Sequence, residues 1–198
     1  MDRQETTRLL RRARDGEPDA VNALYGRVAG KLLALIRLRL GRGLRSQLES
    51  RDILQATLLK SFQHFQQFEA GDGPSLMAWL ARIAENEIRD RVDYHNRQRR
   101  DARLEVPLET AHARLPAAMR SALTQVLLDE RAERLEEALE SLEPHYREVI
   151  ALRSYEELSF AEIGARLGKS EDACRMLFAR AMTALTMRMT ADAAGPGA

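Results

Sequence analysis

The amino-acid sequence predicts an all-α fold, with two small helical domains joined by a linker. Leu, Ala, Arg and Glu dominate the 198 residues, aromatic residues make up only 5%, and the residues that favour strands are sparse. Apolar residues recur at steps of three and four, which is the spacing of one face of an α-helix. Glycines and prolines separate these periodic segments, so each segment is assigned to its own helix.

The first half of the chain is predicted to contain helices on both sides of a turn-forming loop. The longest of these helices carries one apolar stripe and ends at Gly41 and Gly43. The predicted helices lie before Gly16, over 19–40, from about Ser50, and over 76–97, with the loop at 69–75.

The second half begins after a segment without helical periodicity. Residues 103–116 contain two prolines and are predicted to be a linker. A helix over 117–142 and another that starts at Pro144 follow. The predicted division is a domain at 1–102, a linker with part of a helix at 103–128, a domain at 129–189, and a disordered tail at 190–198.

The stretch "EIGARLGKSEDACRMLFARA" has the local signals of a helix-turn-helix. Ser159 and Glu162 are spaced to form a capping box at the start of the first helix. Gly164 lies where the two helices must cross closely, and Gly168 supplies the positive φ of a helix exit. Ser170 then caps the second helix. An ordinary helical hairpin carries the same signals, so that alternative stays open.

The second helix of this stretch has a buried face and an exposed face. Its apolar residues form one uninterrupted stripe of Cys174, Leu177, Phe178, Ala181 and Leu185. Cys174 is therefore predicted to fill space in the core rather than to sense redox state. Glu171 and Asp172 occupy the first turn, where the helix dipole favours negative charge, although an acid there can also accept from a cytosine amino group.

The charge of the chain is nearly balanced but unevenly distributed. The formal net charge is +1, whereas a free-standing DNA-binding protein usually has a clear positive excess that attracts phosphates. Residues 31–45 hold five basic residues and no acid, and residues 97–103 hold four arginines and one aspartate. A solvated basic face explains such runs equally well. If the chain binds nucleic acid, another component must supply much of the affinity.

Several function classes are excluded by what the sequence lacks. The longest apolar run, "LLALI", is too short to span a bilayer, and the N-terminus has no secretory signal, so we expect a cytoplasmic protein. One cysteine allows neither an internal disulfide nor a multi-cysteine zinc site, and we expect no metal and no cofactor. The four histidines are scattered and no nucleophile lies beside a base, so we expect neither an enzyme nor a small-molecule substrate.

Three stretches of the sequence resemble bacterial sigma factors of the extracytoplasmic-function (ECF) type. Residues 51–92, which contain "DILQ" and "AWLARIAEN", resemble region two of that family, and residues 135–185 resemble region four. The opening "DGEPDAVNALYGRVAGKLLALI" is similar to the usual start of the family. The resemblance implies a protein that binds core RNA polymerase, directs it to promoter DNA and assists promoter opening. It also implies an anti-sigma factor as a partner.

The "DILQ" motif implies the surface that docks on polymerase. In the family, a "DLVQ"-like motif docks on the coiled-coil clamp helices of the largest polymerase subunit. A helix face that mixes apolar side chains with an acid suits a partner helix rich in arginine. Asp52 is also a favourable charge at a helix N-terminus and Leu54 also suits the core, and both roles are compatible with docking. The matching residues are Asp52, Ile53, Leu54 and Gln55.

The loop at 69–75 and the helix after it match the family's element for the promoter minus-ten region, where a pocket captures an unstacked base. Asn86 can read a base edge there, and arginines of the same helix can hold phosphates. The resemblance implies these minus-ten residues: Phe68, Gly71, Asp72, Arg82, Asn86, Arg89 and Arg91.

Three phenylalanines precede this loop at steps of three residues. We expect Phe62 and Phe65 to pack in the core, whereas Phe68, at the edge of the loop, is the expected stacking platform for a base. Trp79 corresponds to a tryptophan of the family, and we assign it to packing.

Region four of the family reads the promoter minus-thirty-five element in the major groove. Arginine suits guanine because its guanidinium meets two acceptors together. The sequence departs from the common pattern at Met176 and Leu177, where polar or basic residues are usual, and at Ala179. These departures indicate a modest affinity for the minus-thirty-five element. The implied residues are Ser170, Arg175, Met176, Ala179 and Arg180.

Two other functions remain open at this level. A stand-alone helix-turn-helix regulator would bind operator DNA as a dimer, and it predicts a ligand-binding or dimerisation domain where this chain has the polymerase-docking pattern. A sigma-like adaptor would sequester or scaffold its partners without opening promoters.

Overall fold

The computed structural model describes residues 3–45, 47–68, 75–100 and 130–193, together with Met119 and Thr124. All regular secondary structure in these residues is helical, which confirms the all-α prediction. The α-helices are α1 (Arg3–Arg14), α2 (Pro18–Arg45), α3 (Ser50–Gln63), α4 (Leu76–Arg100), α5 (Glu130–Glu140), α6 (Pro144–Ile150), α7 (Phe160–Leu167) and α8 (Glu171–Ala193). A short 3-10 turn, Phe65–Gln67, follows α3, and a π-helical turn, Ala151–Tyr155, follows α6.

Helix α2 lies at the centre of the fold and contacts α1, α3, α4 and α5. It is apolar on more than one face, and a helix of that kind must be covered on several sides. Its fully buried side chains include Leu24, Val28, Leu32 and Ile36. The helix is interrupted at Gly41, whose φ of 56° and ψ of 179° are not helical. That break lies where the sequence predicts the end of the helix.

Helix α3 packs between α2 and α4 and is buried along most of its length. The Ser61 hydroxyl donates a hydrogen bond to the phenolic oxygen of Tyr25 on α2, with 3.1 Å between the oxygens. Burial raises the pKa of Tyr25 to about 12, against the opposing effect of that hydrogen bond. The Tyr25 ring also lies 6.3 Å from that of Phe65, which is buried as predicted.

The capping signals of the helix-turn-helix are confirmed. The Glu162 carboxylate accepts from the backbone N–H of Ser159 at 2.7 Å, and the Ser159 hydroxyl accepts from the N–H of Glu162 at 3.2 Å. The Ser159 hydroxyl also donates to the Glu162 carboxylate at 2.6 Å, and this bond, followed by that from the backbone N–H of Ser159, lowers the pKa of the Glu162 carboxyl. Gly168 ends α7 with a φ of 64°, and the Ser170 hydroxyl accepts from the N–H of Ala173 at 3.2 Å.

Gly164 is required by a close approach of the backbone. A Cβ at this position would lie 2.5 Å from the carbonyl oxygen of Lys169, which is closer than non-bonded atoms come. The sequence predicts a close crossing here, and the structure shows that the turn backbone, rather than a side chain of the second helix, makes the contact.

Helix α8 has the predicted buried stripe. Cys174 and Ala181 are fully buried, Leu185 is 9% exposed, and Leu177 and Phe178 pack against the core while partly exposed. The helix continues to Ala193. It therefore includes residues 190–193 of the tail predicted at 190–198.

Two parts of the prediction lie outside the described residues. These are the loop residues 69–74 and most of the segment 101–129, which includes the predicted linker and the first half of the helix predicted over 117–142. The second half of that helix corresponds to α5, and Pro144 begins α6 as predicted.

Ion pairs connect the N-terminal helices to the C-terminal helices. The Arg39 guanidinium on α2 lies 3.0 Å from both carboxylate oxygens of Glu148 on α6, and it also pairs with Glu156 beyond the π-helical turn. Arg166 on α7 joins Glu156 at 3.1 Å to Glu85 on α4 at 3.5 Å. Burial opposes the charged form of Arg39, but the two carboxylates outweigh it and raise the pKa of the guanidinium.

We expect Gly164→Ala to destabilise the chain by about 1–3 kcal/mol, since the added methyl overlaps the Lys169 carbonyl. Helix propensity alone would favour alanine by about 1 kcal/mol, so the sign of the change distinguishes the two effects. Urea unfolding monitored by circular dichroism measures the difference. Ala165→Ser, at an exposed position of the same helix, is the control, and an unchanged or higher midpoint for Gly164→Ala would contradict the contact.

We expect Arg39→Glu to separate the N-terminal and C-terminal helices, because it places three carboxylates together at a partly buried site. Small-angle scattering should show a larger radius of gyration. Lys31→Glu makes the same charge change at an exposed position of α2 and should leave the radius unchanged. Equal radii for Arg39→Glu and the native chain would show that these pairs do not hold the two parts together.

Candidate nucleic-acid and partner interfaces

The predicted docking motif lies on α3, but most of its side chains face the core. Ile53 and Leu54 are fully buried, and Gln55 is 5% exposed. Helix α3 turns these three side chains towards α2 and α4, and their contact with a partner stays a prediction. Asp52 is partly exposed and is the motif residue that a partner can reach.

Phe62, which the sequence predicts to pack in the core, is instead on the surface. Phe62 is 39% exposed. It follows Asp52 by ten residues and the partly buried Leu59 by three, which places the three side chains on the same side of α3. We call Asp52, Leu59 and Phe62 the α3 face. The spacing from Asp52 was visible in the sequence and could have identified Phe62 as part of this face.

Helix α4 presents a polar, basic face. Arg82, Asn86 and Arg89 are exposed and follow one another at four and three residues, so they share one side of the helix. Neither arginine pairs with a carboxylate in the part of the chain that the structure describes. We call these three residues the α4 face. It offers two cations and an amide that can donate and accept, which is a suitable set for phosphates and a base edge.

Arg91 differs from the arginines of the α4 face. Its side chain is only 16% exposed and lies 3.7 Å from the Glu87 carboxylate one turn earlier. It also donates to the backbone carbonyl of Asp52 at 3.4 Å. Its guanidinium therefore links α4 to the start of α3, and its contact with a phosphate stays a prediction.

Phe68 is also not placed as predicted. It is 4% exposed, its ring lies 5.1 Å from that of Trp79, and its carbonyl accepts a hydrogen bond from Arg14 on α1. In this arrangement the ring packs in the core, and its stacking on a base stays a prediction. The packing role of Trp79 is confirmed. Gly71 and Asp72 lie outside the described residues.

The first turns of α8 form a third exposed face. Ser170, Arg175, Met176, Ala179 and Arg180 are all exposed, as predicted, and we call them the α8 face. Ser170 also supplies the cap described above.

Arg175 is held by its own helix. Its guanidinium lies 2.7 Å from the Glu171 carboxylate and 3.9 Å from that of Asp172. It also lies over the Phe160 ring, 5.1 Å from the ring centre. The acids of the first turn therefore pair with an arginine as well as with the helix dipole. Arg180 has no such ion pair within the described residues.

The described residues contain neither a metal-binding cluster of side chains nor a helix that could span a membrane. No group of three or more His, Cys, Asp or Glu side chains is arranged to hold a metal ion in this part of the chain. Within the same residues, every helix is too short or too polar to cross a membrane.

Two known family descriptions match this chain. Residues 24–99 match "Sigma-70 region 2", and residues 132–185 match "Sigma-70, region 4". The first range contains the α3 and α4 faces, and the second contains the α8 face.

Full-length relatives agree with these matches. RNA polymerase sigma factor CarQ of Myxococcus xanthus is 32% identical over 84% of this chain and 87% of its own length. ECF RNA polymerase sigma factor BldN of Streptomyces coelicolor is 30% identical over 93% of this chain, and SigE of Mycolicibacterium smegmatis is 33% identical over 62%. The chain spans less than two thirds of these last two relatives, 66% of BldN and 45% of SigE.

A solved structure also resembles the chain. The structure of CnrH in complex with the cytosolic domain of CnrY covers 93% of this chain and 96% of its own, at 25% identity and a TM-score of 0.43. Together with the two region matches, the identity to CarQ over most of both proteins establishes the family. This chain belongs to the extracytoplasmic-function family of RNA polymerase sigma factors.

Proposed function

We propose that this sigma factor uses its three exposed faces for three different partners. The α3 face docks on the clamp helices of the largest polymerase subunit, the α4 face binds the minus-ten element and assists its opening, and the α8 face binds the minus-thirty-five element. The observation that carries the proposal is the separation of an acidic and aromatic face on α3 from an exposed basic face on α4.

The composition of the α3 face supports docking on a protein. An exposed phenylalanine beside a half-buried leucine provides apolar area, and aromatic residues are frequent energetic centres of protein interfaces. Asp52 adds a carboxylate that an arginine of a partner helix can bind. The buried Ile53 and Leu54 fix the orientation of α3, so they contribute to docking through the position of the helix.

The α4 face supports binding of an opened minus-ten element. Arg82 and Arg89 are available for phosphates on both sides of Asn86, whose amide can pair with a base edge. Extrusion of one base from the stack costs a few kcal/mol, which contacts of this kind must offset. The loop that precedes α4 contributes Gly71 and Asp72 in the same proposal.

Binding of both promoter elements requires the two parts of the chain to move apart. Elements that are about 25 base pairs apart lie about 85 Å apart along B-DNA. In the structure, Arg166 of the helix-turn-helix contacts Glu85, the neighbour of Asn86 on α4. We therefore propose that assembly with polymerase breaks the pairs that Arg39 and Arg166 make between the two parts.

Two further features of the proposal follow from family membership. An anti-sigma factor that holds the chain away from polymerase is a proposed partner, and the cytoplasm is the proposed location because RNA polymerase acts there.

Transcription with purified core polymerase on duplex and pre-melted promoters tests the function. We expect Asp52→Arg and Phe62→Ser each to weaken core binding about tenfold or more, since each removes a contact of the docking face. Met187→Ser changes a 66% exposed methionine elsewhere and should leave core binding unchanged. Circular dichroism confirms that the variants fold.

Unchanged core affinity in both α3 variants would contradict the docking assignment. Transcripts from pre-melted but not from duplex promoters would show that the chain docks without opening DNA, as the adaptor alternative predicts. Binding to DNA without polymerase, and no transcripts, would favour a stand-alone regulator.

Arg89 and Arg91 form a matched pair that separates DNA binding from stability. Arg89→Ala should lower the salt dependence of promoter binding by about one released ion and leave stability unchanged. Arg91→Ala should lower the free energy of unfolding by about 1–3 kcal/mol, because it leaves the 8% exposed Glu87 carboxylate with one cation fewer. Holoenzyme binding titrations in a salt series and urea unfolding measure the two effects, and the reverse pattern would contradict both assignments.

A further inference from the structure

Met176 is an exposed apolar side chain within the α8 face. Its side chain is 56% exposed, and Ala173 and Ala179, three residues away on either side, are also exposed and too small to cover it. Exposed methionines are ordinary when they are scattered over a surface. This one is the sixth residue of α8, in the first two turns of the second helix of a helix-turn-helix, where side chains reach base edges in the major groove.

The polar groups next to Met176 are already engaged. Arg175 is bound by Glu171 at 2.7 Å and lies over the Phe160 ring. A base contact by Arg175 would have to compete with that carboxylate. The acids themselves repel phosphates, so this end of the helix gains little from general attraction to DNA.

The chemistry of the thioether limits what Met176 can recognise. It has no donor and is only a weak acceptor, so it cannot read the hydrogen-bonding pattern of a base pair. The apolar feature that the major groove presents is the C5 methyl group of thymine. The side chain is long and flexible enough to cover such a methyl group, with small alanines on both sides that leave room for the neighbouring bases.

We infer that Met176 is a specificity-determining residue that selects a thymine in the minus-thirty-five element through its C5 methyl group. The inference rests on the proposed role of the α8 face and adds the base and the chemical group that it reads. Arg180, which has no ion pair within the described residues, lies one turn further along the same side and binds the adjacent phosphate or guanine.

Replacement of thymine by uracil tests the inference, because the two bases differ only in that methyl group. The upstream element is first selected from a promoter library with holoenzyme that contains the full chain. Each thymine of either strand in the selected element is then replaced by uracil, one at a time, and holoenzyme binding is titrated. The series is repeated with Met176→Ala, with Met176→Leu and with Met187→Ala, whose site is 66% exposed and about 16 Å further along α8.

With the native chain, uracil at one or two positions should weaken binding about fourfold, which is the factor for burial of one methyl group. Met176→Ala should bind the thymine and uracil promoters equally, Met176→Leu should retain the discrimination, and Met187→Ala should behave as the native chain does.

Native binding that is insensitive to uracil at every position would overturn the inference, as would a selected element that contains only G·C pairs. Discrimination that persists in Met176→Ala would assign the methyl contact to another residue and also overturn it. If the library yields no preferred upstream sequence, the proposed role of the α8 face itself fails, and that outcome is distinct from the others.

Discussion

The burial of α2 is the constraint on which the rest of the structure depends. Its apolar residues cover more than one face, so four other helices must pack around it. Helix α3 can then present one narrow exposed side, since α2 and α4 cover the others. Helix α5 packs on the same helix and connects the C-terminal helices to it. The positions of all three exposed faces therefore follow from one buried helix.

Ion pairing divides the arginines of this chain into structural and available cations. Arg39 and Arg166 pair with carboxylates of other helices, whereas Arg91 pairs with Glu87 of its own helix and donates to the Asp52 carbonyl on α3. Arg82, Arg89 and Arg180 are exposed and have no such pair in the described parts of the chain. Such exposed cations are available to DNA although the net charge is only +1. Because the net charge is small, the polymerase must supply much of the affinity for the promoter.

The helix-turn-helix could be predicted in detail because its signals are local. A capping box, a positive-φ glycine and a serine cap depend on residues within a few positions of each other. The phenylalanines could not be predicted in the same way. Helix α3 ends at Gln63, so Phe62 belongs to the helix, whereas Phe65 and Phe68 follow it and take their orientation from the turn. The spacing of three residues therefore does not place the three phenylalanines on one helical face.

The docking motif shows a second limit of sequence patterns. The "DILQ" motif lies on α3, the helix proposed to dock, but Ile53 and Leu54 are buried residues on the inner side of that helix. Arg91 was likewise indistinguishable from Arg89 until its hydrogen bond to the Asp52 carbonyl on α3 was known. Tertiary contacts decide which member of such a pair is exposed, and these contacts connect residues far apart in the chain.

Site-specific photocrosslinking in the promoter complex tests most directly whether the three faces have three separate partners. A crosslinking amino acid is placed at Phe62, Asn86 or Met176 of the full chain in holoenzyme on promoter DNA. We expect crosslinks from Phe62 to the largest polymerase subunit, from Asn86 to the minus-ten element and from Met176 to the minus-thirty-five element. Crosslinks from Phe62 to DNA, or from Asn86 and Met176 to polymerase alone, would contradict this expectation.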